Sequence, residues 1–142
     1  MAKRAAGFLI YRCKPDTGAR EWLLMQTSYG EHHWTPPKGH LDQGEDDITA
    51  AYRETLEEAG LDRDTITVHT DISAQLSYQA FNAPKIVTYW LAKLNNYSEK
   101  VTLSSEHQDY KWLSLADAMD LSGFQDMAKV FKDFDDKLNQ QS

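Results

Sequence analysis

The sequence predicts one α/β domain in which a mixed β-sheet is sandwiched between α-helices. Strand-like segments rich in β-branched and aromatic residues lie before and after one strongly amphipathic helix, and a second such helix closes the chain. The length of 142 residues fits a single domain, and no repeat, linker or low-complexity segment divides it. We therefore expect residues 1–142 to form one domain with a polar tail at about 139–142.

The first predicted elements are two strands, at about 3–12 and 21–27, which form a hairpin. Pro15, Asp16 and Gly18 supply turn chemistry between them. Further strands are expected at about 65–78, 85–94 and 109–115. The apolar part of the first strand is too short, and too soon followed by basic residues, to be a secretory signal or a membrane span.

The predicted central helix covers about residues 46–59 and stops at Gly60. Its residues on one side are mainly apolar: Ile48, Tyr52, Thr55, Leu56 and Ala59. Glu54, Glu57 and Glu58 fall roughly opposite, so we expect the three carboxylates to share an exposed face. The closing helix is marked by a second apolar stripe: Met127, Val130, Phe131, Phe134 and Leu138.

The charge and cysteine content limit the possible functions. A net charge of -7 argues against binding nucleic acid or anionic membranes by bulk electrostatics, so an anionic ligand would need local compensation. Cys13 is the single cysteine, which excludes an internal disulfide and favours a cytoplasmic or nuclear location. We interpret Cys13 as a packing residue and expect a monomer.

The acidic helix face suggests either a solvated surface or a metal site. Glu54 and Glu58 are like charges four residues apart, and Arg53 can relieve Glu57 but not the whole cluster. Hard divalent ions such as Mg²⁺ prefer oxygen ligands, whereas the histidines show no zinc-type spacing. The residues around the helix favour the metal site.

Those residues resemble the signature motif of the Nudix hydrolases. The matching positions are Gly39, Glu45, Arg53, Glu54, Glu57, Glu58, Gly60 and Leu61. Thr55 departs from it, because the general pattern prefers an aliphatic residue there. The resemblance implies a Nudix fold, hydrolysis of a nucleoside diphosphate linked to another moiety, and two or three Mg²⁺ ions, with Mn²⁺ able to substitute. It implies metal ligands at Glu54, Glu57, Glu58 and Glu106, with help from the Gly39 carbonyl.

Longer segments resemble the animal asymmetrical diadenosine tetraphosphate hydrolases of that family. They are "HHWTPPKGHLDQGEDD" from His32, "PKIVTYWLAKL" at 84–94 and "LSSEHQDYKWL" at 103–113. Ser105 departs from the animal pattern, which has a histidine there. The resemblance implies a dinucleoside polyphosphate as the substrate, cleaved to AMP and ATP.

The stretch before Gly39 predicts a phosphate contact. Pro36 and Pro37 fix φ near −65° and so hold the direction of Lys38, which suits a polyphosphate. The resemblance also implies that His33 and Lys85 contact phosphate, although a strand-end lysine such as Lys85 is usually only solvated.

The resemblance nominates Tyr78 and Phe124 as a stacking clamp for adenine, with Tyr29 in the same cleft. Both clamp residues are also in phase with apolar neighbours, so packing in the core stays an alternative.

The predicted mechanism is metal-assisted attack of water on phosphorus. Glu54 or Glu106 accepts the proton, and Glu58 completes the catalytic carboxylates; Arg53 and Glu45 are expected to be structural. The alternatives are a nucleotide-sensing module without catalysis, an RNA 5′-end pyrophosphohydrolase, and a scaffold for a basic partner. The intact set of carboxylates argues against the sensing module, and the negative net charge argues against the RNA enzyme. The stiff segment before Lys38 argues against the scaffold.

Overall fold

The computed structural model describes residues 3–80 and 83–141, and within these ranges seven strands and three α-helices form the predicted sandwich. The strands are β1 Lys3–Cys13, β2 Arg20–Thr27, β3 Trp34–Thr35, β4 Lys38–His40, β5 Ile66–Ala80, β6 Ala83–Leu94 and β7 His107–Leu113. The helices are α1 Asp47–Ala59, α2 Leu115–Leu121 and α3 Gln125–Gln141. Over the described residues, no helix combines the length and apolar character needed to cross a bilayer.

The sheet is mixed, as predicted. β1 runs parallel to β6 along its length, while the other pairings are antiparallel. One edge of β1 is shared: its end pairs with β2, and its start pairs with the short strand β4. This arrangement brings β4, which follows the two prolines, beside the centre of the sheet.

Helix α1 confirms the predicted element but corrects its buried face. Asp46 caps the start by accepting from the Thr49 N–H at 2.9 Å, and Gly60 ends the helix with φ +69°. Leu56 is 51% exposed, whereas Glu58 is only 6% exposed, so the expectation that all three glutamates share an exposed face is wrong. The side of α1 that carries Glu58 packs against β4, and this covers Glu58 and leaves Leu56 in solvent.

Apolar clusters cover both faces of the sheet. One cluster includes Phe8, Leu23 and Ala51 and lies between the sheet and α1. The other joins the opposite face to α2 and α3 and includes Trp22 and Phe131, whose rings meet edge to face at 5.6 Å. The helices therefore cover the two faces separately, and the gap at one edge is free to hold a cleft.

The C-terminal region differs in part from the prediction. The expected apolar stripe is buried along α3, but the helix continues to Gln141, so most of the predicted polar tail is helical, and Ser142 lies outside the described residues. The sequence pattern did not predict α2, which has only seven residues. Cys13 is partly buried against the core, consistent with a packing role.

Phe131→Ala tests the core beneath α3. The ring is fully buried, so its removal should lower the free energy of unfolding by about 3–5 kcal/mol. Phe124→Ala is the matched control, because that ring is 51% exposed and its loss should cost far less. Urea denaturation of both variants measures the difference; equal losses would contradict this assignment of core and surface.

Candidate active site

The short strand β4 divides the predicted site residues between the two faces of the sheet. Lys38 pairs with Gly7, Gly39 with Ala6 and His40 with Ala5. Because side chains alternate along a strand, Lys38 and His40 share one face while Gly39 faces α1. A Cβ on Gly39 would overlap the Glu54 carboxyl group, so the backbone of β4 and this carboxylate lie in direct contact.

Gly7 is a second position of close approach, and it was missed in the sequence analysis. A Cβ there would overlap the Pro37 carbonyl oxygen and the Lys38 Cβ. The Phe8 N–H also donates to the Pro37 carbonyl at 3.2 Å. An isolated glycine inside the apolar strand β1 was the available signal, since such a glycine often marks the approach of another backbone.

Arg53 joins the acidic residues around α1. Its guanidinium donates to Glu45 at 2.9 Å, to Glu54 at 2.6 Å and to Glu57 at 3.2 Å, and also to the His40 carbonyl at 2.9 Å. These bonds lower the pKa of Glu45 to about 2, with the Arg53 hydrogen bond as the main cause. Arg53 and Glu45 therefore occupy the structural positions expected for them.

Among the glutamates of the signature motif, Glu58 is the one that lines the cleft described below. Burial raises its pKa to about 8; the Lys38 N–H, which donates to Glu58 at 3.1 Å, opposes the rise, and the charges of Glu54 and Glu106 add to it. The charges of Glu54 and Glu106 are thus close enough to Glu58 to disfavour its ionised form. Bound cations would relieve this repulsion.

The donors fit a hard divalent cation, although they are not assembled around one centre. Within residues 3–80 and 83–141, no three acidic, histidine or cysteine side chains are close enough together to form a ready metal site. Arg53 holds Glu54 and Glu57, while the cleft floor offers Glu58. Oxygen donors, mutual repulsion and the open backbone at Gly39 nevertheless suit Mg²⁺.

Glu106 is exposed and is held by the loop that carries Tyr29. The Ser28 N–H donates to the Glu106 carbonyl at 2.9 Å, and the Ser28 hydroxyl donates to the Ser105 carbonyl at 2.6 Å. Tyr29 is 62% exposed at the cleft. Burial and the charges of Glu58, Glu106 and Glu54 raise the pKa of its phenol, which places the ring beside the acidic end of the cleft.

A cleft of about 540 Å³ brings most of the predicted substrate residues together. The predicted residues among its lining are Tyr29, His33, Lys38, Glu58, Tyr78, Lys85 and Phe124. Lys85 is partly buried; burial and the Lys38 charge lower its pKa to about 8. Two lysines thus line the same cleft as three acidic residues, Glu31, Glu58 and Asp126.

The two proposed clamp residues lie at the aromatic end of the cleft. Phe124 is 51% exposed, so core packing does not explain it, and its ring centre lies 5.5 Å from that of His33. Tyr78 is half-buried and is paired with Lys85 across β5 and β6; burial raises its pKa to about 12. An aromatic surface thus lies next to the lysines.

His107 also lines this cleft and was not among the predicted site residues. It is only 6% exposed, and its Nδ1 is buried with no hydrogen-bond partner among the described residues. Burial lowers the pKa of the imidazole, which favours its neutral form. Its neighbour Glu106 carried the family resemblance, but nothing in the sequence distinguished His107 from an ordinary strand residue.

Comparisons with known proteins show the family and the fold of this chain. The family model for the NUDIX domain matches residues 1–134. An asymmetrical bis(5′-nucleosyl)-tetraphosphatase from Caenorhabditis elegans is 48% identical over 134 residues, covering 94% of this chain and 95% of the relative. The enzyme of that name from Sus scrofa is 47% identical over 137 residues, covering 94% and 93%. A solved C. elegans Ap4A hydrolase in a binary complex superposes with a TM-score of 0.94 at 47% identity, covering 98% of this chain and 99% of that one.

Proposed function

The chain belongs to the NUDIX family of hydrolases, and we propose that it cleaves diadenosine tetraphosphate asymmetrically to AMP and ATP. The observation that carries this proposal is the set of groups that line one cleft. Aromatic side chains, two lysines and the Glu58 carboxylate all line it. A nucleoside attached to a polyphosphate offers the apolar and anionic parts that such a set can bind.

The aromatic residues of the cleft suit a nucleobase. Tyr78 and Phe124 both line the cleft, and the His33 ring lies 5.5 Å from that of Phe124. Stacking on aromatic side chains contributes about 1–3 kcal/mol per base. Because the register places Tyr78 beside Lys85, a base held there has its phosphates next to the lysine.

The cationic wall suits the phosphates. Lys38 lies close enough to Lys85 for its charge to lower the pKa of Lys85, and both lysines line the cleft. Their mutual repulsion is relieved when an anion lies between them, so binding a polyphosphate is favoured over the empty cleft. This wall supplies the local compensation that a protein of net charge -7 needs to bind an anion.

Glu54, Glu57, Glu58 and Glu106, with the Gly39 carbonyl, are proposed to hold two or three Mg²⁺ ions. When bound, these ions supply charge neutralisation on the phosphates and lower the pKa of coordinated water. Glu54 is proposed to take the proton from the attacking water, with Glu106 as the alternative. Arg53 orients Glu54 and Glu57 by direct hydrogen bonds.

RNA 5′-end hydrolysis is less well supported by the same features. RNA binding needs a basic stripe beyond the catalytic cleft, whereas this chain carries 22 acidic and 15 basic residues. A sensing module without catalysis, or a scaffold for a basic partner, would not need lysines turned toward a carboxylate floor. The dinucleotide uses the whole cleft.

Glu58→Gln tests the carboxylate floor. The change removes the carboxylate that would ionise when cations bind, while keeping nearly the same shape, so the variant should fold and lose turnover by about 100-fold or more, since even outer partners of metal ligands contribute 10–100-fold. Glu99→Gln, which removes a carboxylate away from the cleft, is the control. Circular dichroism and product assays measure both. Full turnover by a folded Glu58→Gln protein would remove Glu58 from the site.

Tyr78→Ala and Phe124→Ala test the clamp. Each should weaken binding of a non-hydrolysable adenine dinucleotide by about 1–3 kcal/mol, because one stacking surface is lost. Tyr110→Ala removes an aromatic residue that is 37% exposed and does not line the cleft, so its affinity should match that of the wild type. Calorimetry measures the affinities; unchanged binding in both clamp variants would favour a purely structural role.

Hydrolysis in ¹⁸O-labelled water tests the direction of attack. A base in the clamp and phosphates on the lysines fix which phosphorus lies over the glutamates, because positioning dominates phosphoryl transfer. Water should attack a phosphorus that carries adenosine and expel ATP, so the label appears in AMP. Label in ATP would reverse the direction, and two molecules of ADP would contradict asymmetric cleavage.

A further inference from the structure

Four basic residues from three strands share one face of the sheet, and only two of them line the cleft. This basic patch consists of Lys3, Lys38, His40 and Lys85. Lys3 on β1 is paired directly with Lys85 on β6, while Lys38 and His40 on β4 are paired with Gly7 and Ala5, which follow Lys3 at two-residue steps. Residues in register across a sheet, and residues two apart along a strand, project from the same face.

The basic patch lacks acidic partners. Among residues 3–80 and 83–141, none of its four members forms an ion pair. The nearby Arg4 differs, because it projects from the opposite face and pairs there with Asp47. Other lysines of the described chain, such as Lys93, also form no ion pair, so the distinguishing feature of the basic patch is that three lysines and a histidine lie together on one face. This clustering points to an anion as their partner.

The members of the basic patch affect one another. Burial lowers the pKa of Lys85, and the charges of Lys38 and Lys3 lower it further. Burial also lowers the pKa of His40, with contributions from Lys85, Lys38 and Lys3. The Lys3 charge thus acts on both Lys85 and His40, although Lys3 is exposed and lies outside the cleft.

The position of Lys3 and His40 sets what they can contact. β4, β1 and β6 are neighbouring strands, and Lys38 is paired four residues along β1 from Lys3, so the basic patch spans about 10 Å across the strands and about 13 Å along them. Lys38 and Lys85 reach the phosphates inside the cleft, while Lys3 and His40 lie beyond its rim. A polyphosphate long enough to leave the cleft past Lys85 would meet them.

We propose that Lys3, together with His40, forms an outer phosphate subsite that makes the protein favour longer dinucleoside polyphosphates over shorter ones. This inference rests on the proposed function for its substrate class. Lys3 is therefore a specificity-determining residue: it contacts phosphates remote from the bond that breaks, and it contributes more as the chain grows.

Kinetics on diadenosine tri-, tetra- and pentaphosphate test the inference. Lys3→Gln should lower the ratio of kcat/KM for pentaphosphate to that for triphosphate by roughly two- to fivefold, the contribution expected of one exposed ion pair. The loss should appear in KM, and Lys3→Arg should restore the ratio. Lys93→Gln is the matched control, because it removes an exposed lysine from the same sheet, eight residues along β6 from Lys85 and roughly 26 Å away.

Binding of inorganic tetraphosphate separates this inference from the proposed function. In calorimetry without divalent ions, Lys3→Gln should bind tetraphosphate roughly two- to fivefold more weakly than the wild type, and Lys93→Gln should bind it equally well. Equal affinity in Lys3→Gln would overturn the subsite, and so would an unchanged chain-length ratio. Failure of the wild type to cleave any of the three dinucleotides would instead overturn the proposed function and the substrate class drawn from it.

Discussion

The site depends on how closely the three-residue strand β4 approaches its neighbours on two sides. Toward β1, the backbone at Pro37 and Lys38 occupies the space where Gly7 would carry a Cβ. Toward α1, Gly39 leaves room for the Glu54 carboxyl group. With this spacing, the Lys38 side chain faces the cleft while its own N–H reaches Glu58. One short strand thus sets cation and carboxylate at a fixed separation, and a side chain at either glycine would change it.

Strand β4 separates a cluster of acidic residues on its α1 side from the basic patch on its other side. On the α1 side, Arg53 forms direct hydrogen bonds to Glu45, Glu54 and Glu57 and so offsets part of their negative charge. On the other side, the basic patch has no such partner among the described residues. A stable fold gains nothing from unpaired cations, so their arrangement is better explained by a polyanionic ligand than by folding. The protein is acidic as a whole, but its cleft wall is not.

The sequence predicted the fold well where structure is determined locally. The period of α1 and its Gly60 stop are short-range signals, and so is the turn chemistry of the β1–β2 hairpin. β4 was missed because three residues carry no periodicity, and α2 because seven residues carry little. The predictions that Glu58 is exposed and that Leu56 is buried were wrong for a different reason. Helical spacing shows which residues share a face, but the neighbouring strand decides which face is covered.

For the site, too, the sequence pattern alone could not separate binding residues from core residues, and Tyr78 of the clamp is the example. Tyr78 has the same strand phase as Ile72, Ala74 and Leu76, and that phase made a core position plausible. Yet the sheet face that is buried at Ile72 lines the cleft at Tyr78, where Asp126 and Met127 at the start of α3 form another part of the lining. Phase along a strand therefore identifies the face, and position along the strand decides between packing and binding. The same reasoning applies to Lys85, which shares its face with the buried Val87 two residues later. A residue in phase with the core at the end of a strand is thus as good a candidate for a site as for the core, and only the position of the covering helices separates the two.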